Sequence, residues 1–214
     1  MTLSREHYLK CLGLTDWQLR HPTTFESNSD SVSETTWKTL KKCVAECSAC
    51  GLEKTRTQTV FGIGNEQAEL MIIGEAPGFH EDQQGEPFVG RAGQLLTAML
   101  KAICLQRKDV YIANILKCRP PNNRDPQTEE VALCTSFLDQ QIALIQPRLL
   151  LAVGRIAAHY LLKTKSSLEL LRNKTHQYGE IPLIVTYHPA YLLRNPIDKK
   201  KAFVDLQKVQ SQLK

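Results

Sequence analysis

Residues 70–78 have the sequence Leu-Met-Ile-Ile-Gly-Glu-Ala-Pro-Gly, an apolar run that ends in a polar turn containing two glycines. Three more apolar runs occur further along the chain, at residues 110–113, 149–153 and 183–186. Strands that are apolar at nearly every position are typical of parallel sheets covered by helices on both faces. The sequence therefore predicts an α/β fold with three layers (αβα) around a central, mostly parallel, four-stranded sheet.

Helical patterns fill the segments between these strands. Apolar residues recur with helical spacing in four segments, at 92–104, 126–145, 155–162 and 199–213. We expect Asp125 to cap the second of these helices. Residues 176–186 are typical of a hairpin that turns near Gly179, which would give the last strand an antiparallel neighbour.

Polar residues follow three of the predicted strands at the point where each strand ends. Glu75 and Ala76 come after the first strand, Asn114 ends the second, and His188 follows the last. Ligands of open α/β sheets bind at the carboxyl ends of the strands. We therefore expect these residues to meet in one pocket.

The composition of the 214-residue chain, 42% hydrophobic and 23% charged, is that of a globular protein and excludes a mostly disordered one. No apolar run approaches the length of about 18 residues that a membrane helix needs. The first residues lack the apolar core of a secretory signal, so we expect a cytoplasmic protein. Residues 148–214 contain 12 Lys and Arg against four Asp and Glu. That balance suits either a polyanion-binding face or an ordinary solvated surface.

Three segments of different character make up the chain. Residues 1–20 form a short interaction segment with several apolar residues, too short to fold alone. Residues 21–36 are rich in Ser and Thr and are typical of a flexible linker. The folded domain is predicted to span residues 37–214.

Seven cysteines are unusual for a chain with no export signal, and favour metal or cluster ligation over disulfides. Cys47 and Cys50 form a C-x2-C pair, and Cys118 and Cys134 form a second pair. Four thiolates can hold zinc or a [4Fe–4S] cluster, and the spacing alone does not decide between them. Cys43 is an alternative ligand, whereas we expect simple burial for the two remaining cysteines, Cys11 and Cys104.

From Cys47 to its C-terminus the chain resembles the family 4 uracil-DNA glycosylases, the iron–sulfur type. Five segments in the same order carry the resemblance: Val-Phe-Gly-Ile-Gly-Asn at 60–65, Gly-Glu-Ala-Pro-Gly at 74–78, Gly-Glu-Pro-Phe-Val-Gly-Arg-Ala-Gly-Gln-Leu-Leu at 85–96, Asn-Ile-Leu-Lys-Cys-Arg-Pro-Pro-Asn-Asn-Arg at 114–124, and His-Pro-Ala-Tyr-Leu-Leu-Arg at 188–194. The resemblance implies a monofunctional enzyme that flips uracil out of single- or double-stranded DNA and hydrolyses its N-glycosidic bond. It also implies a [4Fe–4S] cluster on Cys47, Cys50, Cys118 and Cys134.

The resemblance gives each residue at the sheet edge a role. Phe88 would stack on the flipped base, in place of simple core packing. Asn114 would accept a hydrogen bond from N3–H of uracil and donate one to O4, which excludes cytosine, and the backbone at Glu75 and Ala76 would complete the contacts. His188 would stabilise the departing uracil anion. Glu81, or as second choice Glu75, would orient water near the sugar.

DNA contacts are also implied by the resemblance. Tyr191, Leu192 and Leu193 would enter the space that the flipped nucleotide leaves, and Arg194, Arg119 and Arg124 would contact phosphates. The chain departs from the family at Phe79 and His80, where relatives often carry acidic residues. It also lacks the basic insert of the related branch that cross-links to DNA, so we expect turnover and not a trapped adduct. We also expect the protein to be a monomer.

Residues 5–22 resemble a segment of a different protein family, the N-terminal peptide of the psi subunit of DNA polymerase III. That resemblance implies tethering to the replicative clamp loader, and packing on the chain's own domain is the equal alternative. Two other functions stay open for the domain. One is a non-catalytic module that binds DNA or the replisome, and the other is a zinc-stabilised hydrolase of another nucleotide substrate.

Overall fold

A six-stranded mixed sheet forms the centre of the computed structural model, which describes residues 36–214. The strands are β1 (Ile63–Gly64), β2 (Leu70–Gly74), β3 (Tyr111–Asn114), β4 (Leu149–Val153), β5 (His176–Tyr178) and β6 (Ile181–Thr186), in the spatial order β1-β3-β2-β4-β6-β5. The four central strands are parallel, and the edge strands β1 and β5 are antiparallel to their neighbours. The α/β class is confirmed, but the sheet has six strands and not four.

The helices cover both faces of this sheet. They are α1 (Trp37–Ala45), α2 (Phe79–Gln84), α3 (Arg91–Lys101), α4 (Thr128–Ile145), α5 (Arg155–Leu161), α6 (Leu168–Arg172), α7 (Pro189–Arg194) and α8 (Lys199–Leu213). Alternate residues of each strand point to opposite faces. Met71 and Ile73 pack in the core with α4 and α5, whereas Leu70 and Ile72 pack in a second core with α3 and α8. The three predicted layers are therefore present.

Two predicted details of the helices are wrong. Gln127, and not Asp125, is the N-cap of α4, where the Glu130 carboxylate accepts from the Gln127 N–H at 2.8 Å. That reciprocal cap removes any need for Asp125, whose side chain is exposed. Cys104 is also exposed, because α3 ends at Lys101 and the chain then turns with a positive φ of 63° at Cys104.

The N-terminal predictions lie outside the described residues. They are the interaction segment 1–20, nearly all of the linker 21–36, the psi-like segment 5–22 and the expected burial of Cys11. None of the helices in residues 36–214 has the length and apolar character that crossing a membrane requires.

Candidate active site

A cavity of about 450 Å³ opens at the carboxyl edge of the parallel strands. All six residues predicted to contact uracil or the sugar line it: Glu75, Ala76, Glu81, Phe88, Asn114 and His188. They come from the ends of β2, β3 and β6, from the first turn of α2 and from the loop after it. The predicted convergence at one sheet edge is therefore present.

Asn114 forms the floor of the cavity. It ends β3 directly opposite Gly74 of β2, and only 2% of its surface is exposed. Within residues 36–214 nothing donates a hydrogen bond to its buried Oδ1. A buried acceptor without a partner is costly, by roughly 1–3 kcal/mol, unless a ligand supplies the donor.

The Phe88 ring lies beside Asn114. The backbone of Phe88 has an unusual conformation. Its φ is +55°, which a bulky residue adopts only when its surroundings hold it there. Arg107 does so by donating to the carbonyls of Pro87 and Phe88, at 2.9 and 3.3 Å. A Cβ at Gly74 would collide with both Asn114 Oδ1 and the Phe88 ring, so only glycine leaves room for this pair.

His188 faces the Phe88 ring, with 5.6 Å between the ring centroids. It caps α7, and its Nδ1 accepts from the Ala190 N–H at 3.1 Å. Burial, with help from Arg194, lowers the pKa of His188 to about 4 against an opposing effect of Glu81. The ring is therefore neutral at pH 7, and its single proton lies on Nε2.

Three carboxylates line the cavity: Glu75, Glu81 and Asp125. Glu81 Oε1 accepts from the Val89 N–H at 3.2 Å, which ties α2 to the loop that carries Phe88. Burial and then the negative charge of Asp125 raise the pKa of Glu75 to about 7, while Arg155 lowers it. The carboxyl group of Glu75 therefore changes its charge near neutral pH.

The three predicted phosphate contacts differ in how they are held. Arg194 is exposed and lines both this cavity and a neighbouring groove of about 500 Å³ that includes Arg155. Arg124 pairs with Glu130 at 2.9 Å. Arg119 donates to Asn123 Oδ1 at 2.7 Å, and its guanidinium lies over the Phe79 ring.

The predicted wedge needs one correction. Leu192 is wholly buried in the core shared by α3 and α8, because it lies on the inner face of α7. Tyr191 stacks on Tyr187, with centroids 5.1 Å apart, and its hydroxyl donates to Asp198 at 2.8 Å. Leu193 is half-buried, so of the three residues it has the fewest ties within the fold.

The four predicted cysteine ligands line one small cavity, which shares no lining residue with the cavity at the sheet edge. Arg56 donates to Cys118 Sγ at 2.9 Å, and the backbone N–H of Lys117 donates to Cys134 Sγ at 3.3 Å. Among the described residues, no group of three or more His, Cys, Asp or Glu side chains forms a site for a single metal ion. Four thiols with cationic neighbours fit the charge of a thiolate-held cluster.

Sequence reasoning missed Lys117, which is fully buried between the two sites. Its ammonium donates to the Asn114 carbonyl at 2.7 Å and to Gln141 Oε1 at 2.6 Å. Burial lowers its pKa to about 8. A lysine is most often exposed, so the only signal in the sequence was its place between Asn114 and Cys118.

Comparison with known proteins agrees with this fold. Residues 61–208 match the family model described as "Uracil DNA glycosylase superfamily". A type-4 uracil-DNA glycosylase of Archaeoglobus fulgidus is 43% identical over 174 residues, covering 78% of this chain and 87% of that protein. Another, of Thermotoga maritima, is 43% identical over 175 residues, covering 80% and 91%.

A type-5 uracil-DNA glycosylase of Thermus thermophilus is more distant, at 30% identity over 149 residues, or 60% of this chain and 68% of that protein. The family match shows that the chain belongs to the uracil-DNA glycosylase superfamily. Its 43% identity to the two type-4 relatives shows that it belongs to the type-4 uracil-DNA glycosylases. The match to the family model begins at residue 61, so the psi-like segment 5–22 lies outside it.

Proposed function

We propose that the protein is a monofunctional uracil-DNA glycosylase, which flips uracil out of DNA and hydrolyses its N-glycosidic bond, leaving an abasic site. The observation that carries this proposal is the unpartnered Asn114 Oδ1 on the floor of a cavity that has room for a nucleobase. Bifunctional glycosylases need an amine to attack the sugar. Among the described residues that line the cavity there is no lysine, which favours hydrolysis by water.

Recognition of uracil follows from the donors and acceptors around Asn114. Its Oδ1 accepts from N3–H of uracil, and its amide nitrogen donates to O4. Cytosine presents an acceptor at N3 and an amine at C4, so both contacts become unfavourable. The Phe88 ring replaces the stacking that the base loses when it leaves the helix, and backbone groups at Glu75 and Ala76 complete the pocket.

Bond cleavage places negative charge on uracil and positive charge on the sugar. Neutral His188 donates from Nε2 to uracil O2 and stabilises the departing anion, because a fixed donor in a water-poor site acts strongly on developing charge. Glu81 orients the attacking water and offsets the positive sugar, and Glu75 is the second carboxylate available for this role.

DNA is held beside the cavity by three arginines and by the α7 region. Arg194, Arg119 and Arg124 contact phosphates. Leu193, with Tyr191 as its support, fills the space that the nucleotide leaves. The basic character of residues 148–214 supports this placement.

A [4Fe–4S] cluster on Cys47, Cys50, Cys118 and Cys134 is part of the proposal. The support is the shared cavity of the four thiols and the positive charges of Arg56 and Lys117 beside it. The cluster joins the start of the domain to the loop after β3 and to α4, so its contribution is structural.

The test is cleavage of a uracil-containing oligonucleotide, single- and double-stranded, followed by alkali to break abasic sites. Wild type is expected to cleave, and Asn114→Ala and His188→Ala are each expected to lose about 10²-fold or more in rate. Asn173→Ala and His176→Ala serve as matched controls outside the cavity and should retain the wild-type rate. Binding without cleavage by wild type would contradict the enzyme and support a non-catalytic module.

The N-terminal segment carries a separate proposal, that residues 5–22 tether the enzyme to the clamp loader of a replicative polymerase. The support is the resemblance of this segment and its Trp and Leu content, which suits a helix-in-groove ligand. Clamp-loader subunits should be recovered with wild type and lost with Trp17→Ala. Equal recovery would contradict tethering. We place the enzyme, as a monomer, in the cytoplasm with its DNA substrate.

A further inference from the structure

Phe79 is a large apolar side chain exposed at the rim of the cavity. Its ring is 52% exposed, although it lies next to Gly78 in the cavity wall. Arg119, whose guanidinium lies over this ring, precedes Pro120, which also lines the cavity. The ring and the guanidinium therefore each adjoin a residue of the cavity lining.

The surroundings of Phe79 hold it there without burying it. The Arg119 guanidinium lies 5.0 Å from the ring centroid, and Asn123 fixes that guanidinium through a 2.7 Å hydrogen bond. The His80 ring meets the Phe79 ring edge-on, with centroids 5.5 Å apart. These contacts hold an aromatic ring and a positive charge together beside the cavity.

We propose that Phe79 and Arg119 form a stacking platform for the base of a nucleotide next to the uracil in single-stranded DNA. The proposal rests on the proposed function. An aromatic face accepts any base, and such stacking contributes about 1–3 kcal/mol per base. Arg119 adds a positive charge where the phosphate between the two nucleotides passes.

Single-stranded DNA is the favoured occupant because the neighbouring base loses fewer interactions when it leaves a single strand than when it leaves a duplex. In a duplex that base is paired and stacked within the helix, so moving it onto Phe79 costs both interactions. In a single strand no pairing is lost, and the base turns onto the platform once the uracil has entered the cavity. Phe79 is thus a determinant of strand preference.

The experiment removes the base and the ring in turn. Fluorescein-labelled, single-stranded uracil oligonucleotides carry either normal neighbours or an abasic tetrahydrofuran on the 5′ or the 3′ side. Dissociation constants are measured by anisotropy for wild type, Phe79→Ala, Phe79→Trp and a matched control, Phe203→Ala, whose exposed ring on α8 lies outside the cavity. Cleavage rates are measured on the same substrates and on the duplex.

Wild type and Phe203→Ala should bind about tenfold more weakly when one particular neighbouring base is missing. Phe79→Ala should bind the intact single strand about tenfold more weakly than wild type does and should not distinguish the two substrates. Phe79→Trp should keep the distinction, and the rate of duplex cleavage should change little in any variant. The proposal is overturned if wild type ignores both neighbours, or if Phe79→Ala keeps the wild-type difference. Absence of uracil cleavage by wild type would instead contradict the proposed function.

Discussion

At the scale of single residues, burial shifts the pKa values of His188 and Glu75, which both line the cavity, in opposite directions. It lowers the pKa of His188 to about 4 and raises the pKa of Glu75 to about 7. In both cases the water-poor site disfavours the charged form. Before a substrate enters, burial therefore favours a neutral imidazole at His188 and a protonated carboxyl group at Glu75.

His188 gives a stability prediction whose sign follows from its lowered pKa. Between pH 6.5 and 4 the unfolded chain binds a proton at this histidine and the folded chain does not. The free energy of unfolding therefore falls as the pH is lowered through that window. From pH 7.5 to 4.5, wild type should lose about 2 kcal/mol more than His188→Gln.

Urea unfolding of both proteins at the two pH values measures this difference. His176→Gln provides the matched control, because His176 lies on the edge strand β5 and its Nε2 contacts the Leu171 carbonyl. The control should behave as wild type. An identical pH dependence for His188→Gln and wild type would show that the ring is not held neutral.

At the scale of elements, the sequence predicted what depends on local pattern. The apolar runs defined the central strands, and β4 and α8 have the predicted bounds at both ends. The convergence of Asn114 and His188 on one cavity was predicted because parallel strands bring their carboxyl ends to one edge. The antiparallel β5 was predicted from its hairpin, whereas β1 has only two residues and no detectable pattern.

Features that depend on distant partners were not predicted. Leu192 is in the core because α7 packs on α3, and nothing local separates it from Leu193. Arg107 holds the Phe88 loop from 19 and 20 residues away. Lys117 is buried because Gln141 and the Asn114 carbonyl accept its hydrogen bonds. Such contacts are set by tertiary packing, which short-range periodicity does not contain.

At the scale of the whole molecule, the cysteine cavity connects three distant parts of the chain. Cys47 and Cys50 precede the domain's first strands, Cys118 follows β3, and Cys134 lies in α4. Lys117 links this region to the uracil site, because its backbone contacts Cys134 and its ammonium holds the Asn114 carbonyl. A cluster that clasps these segments would stabilise both the fold and the floor of the cavity.

Replacing one of the proposed ligands tests this clasp, and Cys43 offers a matched control four residues before Cys47. Cys47→Ser should lose the bound iron, the brown colour and the visible absorption band, and its Tm should fall by about 10 °C, because a group that binds only the folded chain stabilises it. Cys43→Ser, at an exposed position, should keep iron and Tm. Metal analysis and thermal unfolding measure both effects.

Zinc in place of iron would contradict the cluster, and equal losses in the two variants would contradict the ligand assignment. If the wild-type protein holds no metal and Cys47→Ser has the same Tm as wild type, the clasp itself is wrong.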